Sequence, residues 1–479
     1  GEILAFEIDD LTGIGPYSMF PRTSAIEGNQ VVNITGGPYK HKQYRAHLKV
    51  VFLNKTPTCQ YRGVGHPIAC AITEGLVDKA ARMLGMDPLD IRKKNVIPDD
   101  AYPYTAASGI KLEILSHEEC LRKMERFADY RALRDEQARL RQQGIYRGLG
   151  LSTVIELTNP SAAFYGVGGA RIASQDGATV RLDPKGGVTV LVSVGEQGQG
   201  AEGIYAQIAA DAVGVSIQQV KIITGDTNVT PYGGGTWASR GAGIGGEAVL
   251  QAGLALRENI LKLASAMLSR PMPSLTIREG VVVDAETEAA LLEFPELGRV
   301  GYFRSDTLPA GFTPELTVTR HYVQRDYPFI WTNGVQLSYV EVDPETGMVK
   351  LLKHWAVEDC GRVLNPMLVD EQMRGAIVQG IGGALYEECL YDESGQLRNG
   401  SLADYLVPMA NEMPDIEVSH VQTPTKTSLL GAKGAGEAGT AGAPGAIMNA
   451  INDALAPFNA SVTSQPFTPE KILKALGRI

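Results

Sequence analysis

A glutamate set among glycines is the residue in this sequence best placed for acid–base chemistry. Glu437 closes the run Gly434-Ala-Gly-Glu437, with Lys433 just before it. A carboxylate in a narrow loop lined by backbone loses hydration. That raises its pKa and makes it a usable general base. The same residue can equally open a helix, where the positive end of the helix dipole favours an acidic side chain. The residues alone leave these two readings level.

Glycine supplies 54 of the 479 residues, and its clusters precede helical patterns. One cluster is Gly195 to Gly200 (GEQGQG), and a second is Pro231 to Gly246 (PYGGGTWASRGAGIGG). A third runs from Cys360 through Gln372 to Gly383, and a fourth from Gly431 to Pro444. Such loops expose backbone N–H groups next to helix N-termini and suit an anionic, phosphate-bearing ligand. The Gln, Thr, Ser, Arg and Lys residues among the glycines point to an extended ligand with many hydrogen-bonding edges.

The first cluster also carries Gly198-x-Gly200-x-x-Gly203, with Asp226 following 23 residues later. On paper this meets the dinucleotide fingerprint. An NAD-dependent dehydrogenase domain built on residues 198–226 therefore stands as a second reading. Against it, the turn begins early, at Gly195, and places Glu196 where a pyrophosphate would sit. No GxxxxGK[ST] phosphate loop occurs.

The hydrophobic pattern predicts strands near Gly1–Ile8, His47–Leu53, Val188–Val194, Val220–Ile223 and Gly334–Val342, the last half-exposed. It predicts helices near Ile68–Leu84, Ile204–Val213, Glu247–Leu268, Gln372–Glu387 and Ala443–Leu455. A capping box of Ser116 and Glu119 is expected to open one further, largely solvated helix that ends at Gly144. A domain boundary is placed there, dividing the chain into 1–144 and 145–479.

The net charge of −10 gives no electrostatic footprint for nucleic acid. No apolar run is long enough to span a bilayer. The five cysteines are scattered without zinc or iron–sulfur spacing, which predicts no protein-ligated metal and a reducing, cytoplasmic location.

Taken together, several motifs resemble the large subunit of the molybdenum hydroxylases, the superfamily of xanthine oxidase, aldehyde oxidoreductase and carbon monoxide dehydrogenase. They are Tyr61-Arg-Gly-Val-Gly65, Glu74-Gly-Leu-Val-Asp78, Asp87-Pro-x-x-Ile-Arg-x-x-Asn95, Gly198-Gln-Gly200, Gly225-Asp-Thr227, Gly235-Thr-Trp-Ala-Ser-Arg240, Asn365-Pro366 and Gly434-Ala-Gly-Glu437. The resemblance covers nearly the whole chain in order. It implies an α+β molybdopterin-binding fold with mixed sheets and glycine-rich loops at helix N-termini. It implies a molybdopterin cofactor, in the cytosine dinucleotide form, whose dithiolene rather than the protein holds molybdenum.

Carried over by motif, Gln197, Gly198, Gln199 and Gly200 would bind pterin and phosphates. Thr236, Ala238, Ser239 and Arg240 would hold the dinucleotide, partly through backbone N–H groups, and Lys433 would also contact the cofactor. Gln372 would hydrogen-bond the pterin, and Arg62, Gly63, Val64 and Gly65 would form the substrate loop. Glu437 matches the family's catalytic base, which turns its level reading towards catalysis. The implied reaction is oxidation of an N-heteroaromatic compound or an aldehyde with water as the oxygen source. A catalytically inactive cofactor-binding scaffold is the remaining alternative.

Two departures bear on the substrate. The carbon monoxide enzymes carry a cysteine in the loop where this chain has Arg62 to Gly65, and Cys59 lies upstream of it. Purine oxidases place an aromatic residue at Val64 and an arginine near Gln30. Both departures disfavour those substrates. The family's N-terminal GGxFGGK-type loop is not found, so a second molybdopterin-binding half is expected as a partner, from a split subunit or a longer chain. An iron–sulfur subunit carrying [2Fe-2S] and a flavin subunit carrying FAD are expected as further partners.

Overall fold

The computed structural model describes residues 1–20, 23–164 and 172–479. The chain forms two compact units. One comprises Gly1–Thr158, Ile330–Thr425 and Gly434–Ile479; the other comprises Asn159–Phe329 and Lys426–Lys433. The boundary expected at 144/145 falls inside the first unit, because the strand just after it is a member of that unit's central sheet.

That sheet runs Ile416–His420, Val349–Asp359, Ile330–Val342, Tyr146–Thr158. Its first pair is parallel and the other two are antiparallel. The helix Ala438–Leu455 lies against it, and all of its residues but Asp453 are buried. The sequence explains how close the two lie. A Cβ on Gly148 would stand 1.9 Å from the Ala450 carbonyl oxygen, and one on Gly150 2.1 Å from that of Ala446. Only glycine in the strand permits this approach. The helix Pro366–Leu385 packs on the same buried helix through small residues: a Cβ on Gly439 would meet Ala376 at 2.6 Å.

The Ile330–Val342 strand is not half-exposed as its alternation predicts. Val335, Leu337 and Tyr339 pack with Cys120, Leu121 and Met124, whereas Val340 and Val342 join a separate cluster with Ile447 and Ile451. Both faces are covered, and the polar residues Thr332, Gln336 and Ser338 are interior. The helix expected at 443 begins five residues earlier, and Glu437 is its N-cap residue.

The expected capping box and single helix are also corrected. Two helices, His117–Phe127 and Tyr130–Arg141, replace the one, broken by Asp129 in the left-handed region (φ 49°). Ser116 does not cap: its hydroxyl donates to Asp359 Oδ2 at 2.5 Å. Asp99 caps instead, accepting from Glu118 N at 3.0 Å and Glu119 N at 3.1 Å.

The second unit holds a four-stranded mixed sheet in the order Thr317–Tyr322, Asp176–Leu182, Val188–Val192, Val220–Ile223. Its last pair is parallel, joined by the helix Ala201–Val213. The helix Glu247–Leu268 has the predicted ends, and a π turn, Gly241–Gly246, leads into it. Helices on mixed sheets, with glycine-rich loops at their N-termini, make the α+β fold that was expected. Among the described residues no helix is long and apolar enough to cross a membrane.

Candidate active site

In the first unit the loop ahead of Glu437 is fixed by side chains from three directions. Thr332 donates to the Gly434 carbonyl at 2.6 Å. Gln336 Nε2 donates to the carbonyls of Ala438 and Gly439 at 3.2 and 3.1 Å. Its oxygen takes a hydrogen bond from His354 Nε2 at 3.0 Å, and His354 Nδ1 meets the Ser338 hydroxyl at 2.9 Å. Burial lowers the His354 pKa to about 3, so the ring is neutral and this rail of hydrogen bonds has one arrangement.

The third contact is Arg62. Its Nε donates to the Gly436 carbonyl, Nη1 to Gln379 Oε1 at 2.9 Å, and Nη2 to Gln372 Oε1 at 2.9 Å. Burial lowers the pKa of this guanidinium, and the carboxylates of Glu437 and Glu156 pull it back up. Arg62 thus belongs with the base loop, not only with the substrate loop to which the sequence assigned it. A Cβ on Gly63 would stand 3.9 Å from the Glu437 carbonyl oxygen, so the two loops adjoin. Glu437 makes no side-chain cap to the helix it begins, which removes the bond that a purely capping role requires.

The turn after Arg62 depends on glycine. Gly63 and Gly65 have φ of 94° and 76°. A Cβ on Gly65 would clash with the Glu27 carbonyl at 2.5 Å and Gln30 at 2.7 Å. Val64 is half-buried, and Gln30 lies directly behind the loop. His66 ties the turn down: Nδ1 donates to the Gly63 carbonyl at 2.6 Å, and Nε2 accepts from Leu157 N at 3.0 Å. Only the neutral ring makes both bonds, and burial lowers its pKa to about 4.

In the second unit, the expected phosphate nest at Gln197, Gly198, Gln199 and Gly200 is filled by the chain itself. Glu196 Oε1 accepts from the N–H groups of Gln197, Gly198 and Gly200 at 3.1, 2.8 and 3.1 Å. Its Oε2 accepts from Glu202 N at 3.1 Å. Burial pushes this carboxyl up, but the four N–H groups outweigh it and hold its pKa below the ordinary value. A strand–helix–strand unit with parallel strands does exist here, as the dinucleotide fingerprint requires. Its anion-binding N–H groups are occupied, which counts against the NAD reading.

The next loop contains the stronger nest. Ala238 and Ser239 are consecutive non-glycine residues in the left-handed region, with φ of 48° and 49°. Among the described residues their N–H groups make no hydrogen bond, and the buried Ser239 hydroxyl has no partner. Asp176 organises this loop: Oδ1 accepts from Gly234 N at 3.0 Å and Gly235 N at 3.3 Å.

Arg240 is fully buried and paired with Asp176 at 2.6 Å, and it donates to the carbonyls of Ala173 and Ser174 at 3.0 and 3.1 Å. Its guanidinium therefore braces the loop that was expected to hold a dinucleotide partly through backbone N–H groups. Thr236 likewise spends its hydroxyl on the Gly195 carbonyl, at 2.5 Å. Lys433 is buried at 2% exposure, on the segment that Glu247 anchors through Leu430 N at 2.8 Å. Sequence reasoning missed Thr332, Gln336 and Asp176, whose one available signal was polar residues placed inside apolar strands; Gln379 stands in the third glycine cluster but was given no role.

Among the described residues no cluster of His, Cys, Asp or Glu could ligate a metal. Models of molybdopterin cofactor-binding domains match residues 1–96 and 123–414. The chain is 34% identical over 476 residues to the nicotine 6-hydroxylase large subunit of Paenarthrobacter nicotinovorans, covering 99% of this chain and 58% of that protein. It is 28% identical to the carbon monoxide dehydrogenase large chain of Hydrogenophaga pseudoflava, covering 99% of this chain and 59% of that one.

The crystal structure of quinoline 2-oxidoreductase from Pseudomonas putida 86 superposes with a TM-score of 0.93 at 37% identity, covering 99% of this chain and 60% of that one. The chain thus spans less than two thirds of the length of these relatives. With the fold, the loops and these matches in agreement, the chain belongs to the molybdopterin cofactor-binding family of the molybdenum hydroxylases.

Proposed function

We propose that the chain is the cofactor-carrying and base-carrying part of a molybdenum hydroxylase acting on an N-heteroaromatic substrate. The observation that carries this reading is the Glu437 loop, which is held from three directions while its carboxylate does no capping. Two relatives are named for nicotine and quinoline, both nitrogen heteroaromatics, and this favours such a ring over an aldehyde. Val64 in place of an aromatic residue, and Gln30 behind the loop, count against a purine. The absence of cysteine from Arg62 to Gly65 counts against carbon monoxide.

The residues present fit a molybdopterin cytosine dinucleotide. The Ser239 hydroxyl is an orphaned buried donor, and the Ala238 and Ser239 N–H groups form a pair open to an anion. Positions where a Cβ would meet nothing within 4 Å, Gly198 and Gly235, leave room beside both loops. Gln372 would donate Nε2 to the pterin. Gln197, Gln199 and Lys433 would line the cofactor, with Thr236 and Arg240 holding the loop rather than the ligand.

When bound, the cofactor supplies a two-electron oxidation that places oxygen from water on carbon. Glu437 would take up the proton that water gives up in that oxidation, and the rail under its loop would keep the carboxylate aimed. Electrons would leave through an iron–sulfur subunit and a flavin subunit, in a cytoplasmic complex completed by a second molybdopterin-binding half.

The test is turnover of a quinoline-type substrate in 18O-labelled water by the assembled enzyme, with molybdenum and cytosine nucleotide assayed after acid release. Label in the hydroxylated product with both cofactor components is the expected result. Product oxygen drawn from O2, or a bound nicotinamide instead of pterin, would overturn the proposal.

A further inference from the structure

The guanidinium of Arg62 has donors only, five of them in a fixed fork. Whatever faces it must therefore present oxygen. Gln372 presents Oε1 at 2.9 Å, with its own backbone carbonyl also within reach at 3.3 Å, and Gln379 presents Oε1 at 2.9 Å. Gln372 and Gln379 stand seven residues apart on the Pro366–Leu385 helix, so they share one face. The same fork takes the Gly436 carbonyl, one residue before Glu437. An amide whose oxygen is held inward must turn its N–H2 the other way. Gln372 Nε2 makes no hydrogen bond among the described residues, so its donors are free for a ligand.

We infer that Arg62 is a positioning residue that sets two things at once: the direction in which Glu437 leaves its loop, and the orientation of the Gln372 amide, oxygen inward and N–H2 outward towards the cofactor. This rests on the proposed function above. Arg62 need not touch the substrate to act. Its planar fork joins acceptors from two segments of the chain, which a lysine ammonium on a flexible stem cannot reproduce.

Two variants of the assembled enzyme separate this role from a purely structural one. Arg62→Lys keeps the charge but loses the fork. With the Gln372 amide no longer held, the variant's retention of molybdenum and cytosine nucleotide is expected to weaken about tenfold, and in the loaded enzyme KM stays within about threefold while kcat falls at least about tenfold, the split expected when groups at the reacting centre are misplaced. Gln372→Glu keeps the acceptor and strengthens the bond to Arg62, but it has no N–H to give. It is expected to melt no lower than wild type while its retention of molybdenum and cytosine nucleotide falls about tenfold, the scale of one lost hydrogen bond.

Wild-type kcat in Arg62→Lys, or full cofactor retention in Gln372→Glu, would overturn the inference. If Arg62→Lys fails to fold, the Gln372→Glu result decides alone. A wild-type enzyme without molybdenum would instead refute the functional reading beneath it, and this is seen before either variant is compared.

Discussion

Ala238 and Ser239 hold a backbone conformation that side-chain-bearing residues adopt at a cost, and the Ser239 hydroxyl is buried without a partner. Both features destabilise an empty loop and suit a ligand that supplies the missing acceptor. Ser239→Ala is therefore expected to melt no lower than wild type without cofactor, since the hydroxyl contributes no bond to the fold and the cost of burying it unpaired is relieved. Cofactor retention in the assembled enzyme should weaken about tenfold. Equal retention of molybdenum and nucleotide would show that the hydroxyl plays no part. At this scale, the glycine run points to Glu437, whereas Gln372 and the Ala238–Ser239 loop are reached only through the resemblance of their motifs. The sequence did not disclose that Glu196 fills the Gln197–Gly200 nest, or that Arg240 is committed to Asp176. Those facts depend on where side chains turn after the chain folds, and residue type does not specify that.

Among the elements, the helix behind Glu437 depends on two strand glycines. With a Cβ at 1.9 or 2.1 Å from a helix carbonyl, Gly148→Ala or Gly150→Ala must move backbone, not a flexible side chain. Each substitution is expected to cost about 3 kcal/mol or more. Urea denaturation at neutral pH measures this; a loss under about 1 kcal/mol would mean the contact is looser than described. Most elements were legible from periodicity. The Val220–Ile223 strand and the Glu247–Leu268 helix have the expected ends. The exceptions have physical causes. The Ile330–Val342 strand alternates apolar with polar residues, yet Gln336 and Ser338 are buried because His354 satisfies them. The start of the Ala438–Leu455 helix is hidden by glycines and by Pro444, all weak helix formers, and tertiary burial overrides that weakness. Ser116 looked like a cap because its spacing to Glu119 fits; Asp99, distant in sequence, supplies that bond.

For the molecule as a whole, acidity is the lever that acts on the site's supports. His66 and His354 are held neutral, with pKa lowered to about 4 and about 3. A folded pKa below the unfolded value of about 6.5 gives stability that is whole above that pH and is lost as pH falls towards 4 and 3. At pH 5 each ring costs about 2 kcal/mol relative to pH 7.5, so about 4 kcal/mol for both. The unfolding free energy of the unit holding them is expected to fall by that order between the two pH values. In His354→Gln roughly half the difference should disappear; a stability flat from pH 7.5 to 5 would contradict the neutral-ring description. The family and the α+β plan of mixed sheets were legible from the order of motifs along the chain, whereas the division into units was not, because the chain leaves the first unit at Asn159 and returns twice. The central claim is that Glu437 is a base and not a helix cap, and Glu437→Gln in the assembled enzyme tests it most directly. Molybdenum content and melting temperature should match wild type while kcat falls at least about a hundredfold. A kcat within about threefold of wild type, with cofactor retained, would contradict the account, because losing a catalytic base costs far more.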